Sequence, residues 1–170
     1  MKALGLKGFN ALSVRQRMYE LFEVCSSTVW ARRILAEGPY HDVEALYDRA
    51  DQALADLTDT EIEVALDGHP RIGARPDNPS SAREQAKVAT AGVDLRAELV
   101  ARNAEYEERF GYVYLVCASG KSAEELLAIL IERLDNDPET ERRVMRSELA
   151  KINRLRLERL LSEPAEQSSS

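Results

Sequence analysis

His69 stands in Gly68-His69-Pro70-Arg71-Ile72-Gly73, between the end of a helical pattern and an irregular loop. Pro70 fixes its own φ and pushes His69 toward extended backbone, away from the helical region. Gly68 and Gly73 let the chain turn sharply on either side. Such a loop holds an imidazole in one direction, and imidazole is the side chain whose ordinary pKa lies closest to neutrality. General acid–base chemistry needs both properties. The competing reading is a histidine that only bonds a backbone carbonyl in a tight turn. Glu84 and Gln85 follow in Ser80-Ser81-Ala82-Arg83-Glu84-Gln85. Ser81-x-x-Glu84 has the form of a capping box, in which Glu84 would bond the Ser81 amide. Alternatively the helix start at Ser81 offers backbone N–H groups to an anionic or carbonyl ligand, with Glu84 and Gln85 pointing into the same pocket. Arg154, Arg156 and Arg159 lie on the last helical pattern. They read either as a solvated basic face or as the source of one inward guanidinium, suited to a carboxylate or ureido oxygen. His41, beside Asp42 at a helix start, reads as exposed or capping, and Trp30 as core.

The composition narrows what chemistry these residues could perform. The chain has 170 residues, 44% of them apolar, with 23 Lys+Arg against 30 Asp+Glu and a net charge of -7. That size supports one folded domain with a real core. The acidic balance argues against a nucleic-acid or anionic-membrane surface. No apolar run reaches the length of about 18 residues that a membrane span needs. Met1–Asn10 has no apolar stretch of the kind a secretory signal carries, so a cytoplasmic protein is expected. Two His and two Cys leave little soft-ligand capacity, and no Gly-rich phosphate loop is present. Neither metal nor cofactor is therefore expected, and an enzyme of this composition would work with side chains alone.

Helices must position the candidates. Ser13-x-x-Gln16 opens one, with Met18, Leu21, Phe22 and Cys25 on one face. A second carries Trp30, Ile34 and Leu35 and stops at Gly38-Pro39. A third runs from Asp42 through Leu57, and a short one spans Asp59–Leu66. Asp67–Ser81, with two Gly, three Pro and an Asn-Pro pair, reads as a structured loop. Helix is expected again from Ser81 to about Thr90, then over Asp94–Phe110 with Leu95, Leu99, Ala101 and Tyr106 inward. Tyr112–Ala118 is apolar, aromatic and β-branched, so it reads as buried and extended. Ser122-x-x-Glu125 caps a helix bearing Leu126, Leu127, Leu130, Ile131 and Leu134. Asp137-Pro138 opens the last, to about Leu161, with Val144, Leu149, Ile152, Leu155 and Leu160 inward. The expected fold is all-α: a single-domain bundle of about eight helices over 1–161, with one extended segment near 112–118. A polar tail over 162–170 is expected to be disordered.

Several of these pieces occur together in one family. The chain resembles the 2-oxo-4-hydroxy-4-carboxy-5-ureidoimidazoline (OHCU) decarboxylases through Cys25-Ser26-Ser27-x-x-Trp30, His69-Pro70-Arg71-Ile72-Gly73, Ser81-x-x-Glu84-Gln85 before Ala91-Gly92, Phe110-Gly111-Tyr112, and Leu155-Arg156-Leu157. The resemblance implies an all-α, cofactor-free homodimer that converts a ureidoimidazoline to (S)-allantoin and CO2. It implies that His69 is the catalytic histidine and that Glu84 orients the substrate. It further implies substrate-binding positions at Pro70, Ser81 and Gln85, along the backbone of Val116, Cys117, Ala118, Ser119 and Gly120, and at Arg156, with Arg154 second. The chain departs from the family pattern at Gly38-Pro39, at Tyr112-Val113-Tyr114 and at Ser119-Gly120. Two rival readings remain open: a same-fold enzyme acting on a related ureido or imidazoline compound, and a non-catalytic helical interaction protein. Convergence of His69, Glu84, Gln85 and Arg156 on one pocket would favour the enzyme.

Overall fold

The computed structural model describes residues 2–74 and 79–165. Arg75–Asn78, part of the loop expected over Asp67–Ser81, and residues 166–170 of the expected tail lie outside the described residues. Among those described there are nine α-helices, one 3₁₀ turn and no strand, so the all-α expectation is borne out. The helices are α1 (Gly5–Ala11), α2 (Val14–Val24), α3 (Thr28–Ala36), α4 (Val43–Ala55), α5 (Asp59–Leu66), α6 (Pro79–Glu84), α7 (Val93–Phe110), α8 (Ala123–Leu134) and α9 (Pro138–Leu161). Their contacts define two compact units, one comprising the described residues up to Ala65 and from Asn153 onward, the other Leu66–Ile152.

In the first unit side-chain caps set the helix starts, Ser13 as expected and Ser27 and Asp42 in addition. Ser13 and Gln16 form the reciprocal capping box of α2. Ser27 caps α3 by accepting from the Trp30 N–H, and Asp42 caps α4 by accepting from Ala45. Trp30 is fully buried, and its indole N–H donates to the Ala50 carbonyl at 3.0 Å. That bond satisfies the ring's one polar atom, so Trp30 can anchor this core beside Leu21, Ile34 and Leu46. The α2 stripe is narrower than expected: Leu21 and Val24 are buried, while Phe22 is 40% exposed.

Cys25 closes α2 from within the same core. Burial pushes its thiol up to about 12 from 9.0, against the weaker lowering effects of Asn153 and Arg156. The sign of the consequence follows directly. Below pH 9 both folded and unfolded thiols hold their protons. Between about 9 and 12 only the unfolded thiol ionises, so the unfolded state binds fewer protons and stability falls as pH rises. The slope from this group is about 1.4 kcal/mol per pH unit. Burial also raises Tyr40, to about 12, with the same sign. The urea midpoint is therefore expected to drop between pH 8.5 and 10.5. Equal midpoints at those two values would contradict the assignment of a buried, protonated thiol.

In the second unit α7 and α8 pack together over a cluster that includes Leu99, Tyr106, Tyr114, Leu126 and Leu130. Gly111 ends α7 in the left-handed region, at φ 84, where glycine carries no Cβ penalty. Ala101, expected inward, is exposed, and Asn103 is buried in its stead. Residues 113–118 are neither helix nor strand, in keeping with a buried segment that has no sheet to join. The helix expected from Ser81 to Thr90 is shorter and shifted. α6 ends at Glu84, and a separate 3₁₀ turn covers Val88–Thr90. Asp137 caps α9 as expected, accepting from the Thr140 N–H at 2.9 Å.

Candidate active site

The Leu66–Ile152 unit contains a small pocket, about 20 Å³, open to solvent. Its wall is formed by His69, Pro70, Ile72, Ser81, Glu84, Gln85, Tyr114, Leu115, Val116, Ala118 and Ile152. Four separate segments thus converge: the loop after α5, the helix α6 with the residue that follows it, the irregular 113–118 segment, and α9 through Ile152.

The His69 loop is fixed from several sides. The His69 N–H donates to the Leu66 carbonyl at 2.9 Å and closes the turn after α5. Asn103 on α7 donates to the Ile72 carbonyl at 3.0 Å. Arg71 makes a two-pronged pair with Glu107, at 2.6 and 3.1 Å. Gly73 sits at φ +89, and its N–H donates to Gln85 Oε1 at 3.1 Å. Ile72 is buried, so an apolar side chain also pins the loop. The result is a half-buried imidazole on a restrained backbone.

Ser81, Glu84 and Gln85 are 2%, 8% and 6% exposed. Ser81 does not stand before the helix as an N-cap residue would. α6 begins at Pro79, so Ser81 lies inside the helix rather than before it. Proline is favoured at the first helical position, which explains why the start moved upstream. Glu84 is therefore a buried carboxylate on the pocket wall. Gln85 has its oxygen engaged by Gly73, which leaves its NH2 as the group able to meet a ligand.

The third wall is formed by Tyr114, Leu115, Val116 and Ala118. Side chains of its own unit hold alternate groups of this segment. Arg133 donates to the Leu115 carbonyl at 2.7 Å, Glu148 accepts from the Cys117 N–H at 3.4 Å, and Lys121 donates to the Cys117 carbonyl at 2.8 Å. Lys87 donates to the Gly120 carbonyl at 2.9 Å, in a turn where Gly120 has φ +76. Val116 and Ala118 face the pocket between these anchored peptides. Cys117, Ser119 and Gly120 are not part of the pocket wall as described. Tyr114, Leu115, Ile72 and Ile152 are, and only their apolar character was visible beforehand.

The arginines belong to the other unit. Arg154 lies 4.2 Å over the Tyr47 ring and pairs with Asp51 at 3.4 Å, so its charge is engaged there. Arg156 is 4% exposed and donates to the Val24 carbonyl at 3.1 Å. His41 is exposed, as expected for a residue beside a cap. Among the described residues, no group of three or more His, Cys, Asp or Glu side chains is gathered as metal ligands would be. No described helix is long and apolar enough to cross a membrane.

Residues 10–158 match the family model described as OHCU decarboxylase. The uric acid degradation bifunctional protein of Arabidopsis thaliana is 33% identical over 150 residues, covering 83% of this chain and 46% of that protein. A bifunctional uric acid degradation protein of a Bacillus is 26% identical, with 32% of its length covered. The chain thus spans less than half the length of these two relatives. The 2-oxo-4-hydroxy-4-carboxy-5-ureidoimidazoline decarboxylase of Amia calva is 28% identical over 179 residues, covering 95% of this chain and 97% of that one. Among solved structures, an OHCU decarboxylase crystallised in the presence of (S)-allantoin aligns with a TM-score of 0.76 at 28% identity, covering 85% of this chain and 98% of that one.

Proposed function

The chain belongs to the OHCU decarboxylase family, and from that premise we propose that it removes CO2 from 2-oxo-4-hydroxy-4-carboxy-5-ureidoimidazoline to give (S)-allantoin. The observation that carries the reading is the convergence of His69, Ser81, Glu84, Gln85, Val116 and Ala118 on one pocket. An interaction protein has no need to bury a carboxylate and turn an imidazole toward the same cavity.

Breaking the C–CO2 bond leaves an electron pair on the ring carbon. The adjacent ring C=N accepts that pair, so the substrate carries its own sink and needs no pyridoxal or thiamine. The hydroxylated carbon then becomes a carbonyl as one face of the neighbouring carbon gains a proton. His69 exchanges a proton with the hydroxyl or carboxyl end of the substrate. Glu84 accepts from ring or ureido N–H groups and sets the plane of the ring. Gln85, Ser81, Pro70, Val116 and Ala118 hold the polar ends. Arg156, in the Leu155-Arg156-Leu157 element, is the arginine assigned to the substrate, with Arg154 second. The working form is a cytoplasmic, cofactor-independent homodimer, with its catalytic domain over residues 1–161.

The test is to generate 5-hydroxyisourate freshly, add its hydrolase and the protein, and follow allantoin by circular dichroism. A chiral excess above the racemic spontaneous background is expected. Racemic product at the spontaneous rate would overturn the proposed activity.

A further inference from the structure

Arg133 is only 5% exposed, on a helix whose other buried residues are Ala123 and four leucines. Burying a guanidinium among apolar side chains is costly unless every donor finds an acceptor. Here the acceptors are specific. Its Nε donates to Glu141 Oε1 at 2.8 Å, and its Nη1 donates to the Leu115 carbonyl at 2.7 Å. Its guanidinium lies 5.0 Å from the Tyr114 ring centroid and 5.8 Å from that of Tyr106. Glu141, fully buried, is met in turn by the Tyr106 hydroxyl and by Asn136 Nδ2, the latter at 3.0 Å. Buried ion pairs of this kind contribute little net stability over apolar residues of the same size. Their use lies in what they hold in place.

What this pair holds is the wall of the pocket. Residues 113–118 lie in no sheet, so no ladder of backbone bonds fixes their register. A peptide segment without a ladder can rotate its carbonyls unless side chains fix them. Leu115 and Tyr114 line the pocket, and Arg133 grips the carbonyl of the first and the ring of the second. The Tyr114 hydroxyl donates to the Leu126 carbonyl at 3.0 Å, which anchors the same point to α8. With Leu115 O turned onto Arg133 and Cys117 N–H turned onto Glu148, the intervening Val116 groups are left to face a ligand.

We propose that Arg133, oriented by Glu141, is a positioning residue that fixes the Leu115 carbonyl and thereby the main-chain wall, Tyr114–Ala118, that binds the substrate. The inference rests on the reading of this pocket as the decarboxylation site. Removing Arg133 alone would strand Glu141 in the core, so the informative variant removes both charges, Arg133→Met with Glu141→Leu. It should keep its helical circular dichroism and cooperative melting. KM for chiral allantoin formation should rise about tenfold, with a smaller change in kcat, because the misplaced wall is a binding surface. Hydrogen exchange at the 115–118 amides should quicken while α7 and α8 stay protected. Arg133→Lys keeps the charge for Glu141 but lacks the planar fork, and should fall between wild type and the double variant. Wild-type KM and exchange in the folded double variant would overturn the proposal. If the double variant does not fold, wild-type values in Arg133→Lys overturn it equally. Should the wild-type protein form no chiral allantoin, the functional reading fails, and the exchange data still decide whether Arg133 holds the wall.

Discussion

His69→Ala is expected to lower chiral allantoin formation by about 10³-fold, the range associated with loss of a general acid–base. The fold should survive the change. The loop that carries His69 is held by Asn103 on the Ile72 carbonyl, Glu107 on Arg71 and Gln85 on the Gly73 N–H, and none of these bonds uses the imidazole. The His69 backbone N–H, which closes the turn onto Leu66, is retained by alanine. A half-buried ring at the pocket edge also leaves no closed cavity behind. Activity and stability should therefore separate. The check is kcat/KM by circular dichroism beside a thermal melt of the same sample. Wild-type-like turnover would remove His69 from the mechanism, and a collapsed melt would recast it as a residue of the loop's structure. His69→Gln, which can hydrogen-bond but not titrate near neutrality, should stay as inactive as alanine if proton exchange is the role.

The parts of this arrangement that were legible in the sequence are those fixed by local rules. Ser13, Ser122 and Asp137 each cap the helix that their spacing predicts, because capping depends on residues within one turn. His69-Pro70 between two glycines likewise signals a restrained loop without reference to anything distant. Ser81 shows the limit of the same rule. Its spacing to Glu84 fits a capping box, yet Pro79 two residues upstream is a better helix start, and the competition moves Ser81 inside.

Less legible were the elements whose inward face carries charge. On α9 the expected stripe was Val144, Leu149, Ile152, Leu155 and Leu160. Leu149, Ile152 and Leu160 are buried as expected, but Glu141, Glu148, Asn153 and Arg156 are buried beside them, so polar side chains share the inward face. A pattern search for apolar spacing passes over such a face, because it assumes that charge marks solvent. Arg133 could have been found by asking the opposite question. It sits seven residues after Leu126 and three after Leu130, at core spacing on a leucine-rich helix. A charged residue at such a position must have a partner, and the only missing knowledge was which one. Glu141 lies on the next helix, and the Leu115 carbonyl lies in a segment with no periodicity at all, so neither was available from spacing.

Glu84→Gln is the second change from which a large effect is expected. Glu84 is the last residue of α6 and 8% exposed. Gln matches it in size, so the pocket wall should keep its shape and the melting temperature should hold. The amide loses the negative charge that makes hydrogen bonds to substrate N–H groups strong. A loss of about 10²-fold in kcat/KM is expected, corresponding to roughly 2.7 kcal/mol. The partition between KM and kcat is informative. During CO2 loss the electron pair moves toward a ring nitrogen, so a nearby carboxylate cannot stabilise that developing negative charge. Its contribution must then come from N–H groups it holds equally in ground and transition states, which is uniform binding. Most of the loss should accordingly appear as raised KM. A variant with wild-type KM and a 10²-fold lower kcat would instead make Glu84 a participant in proton transfer, and the division of labour with His69 would have to be redrawn.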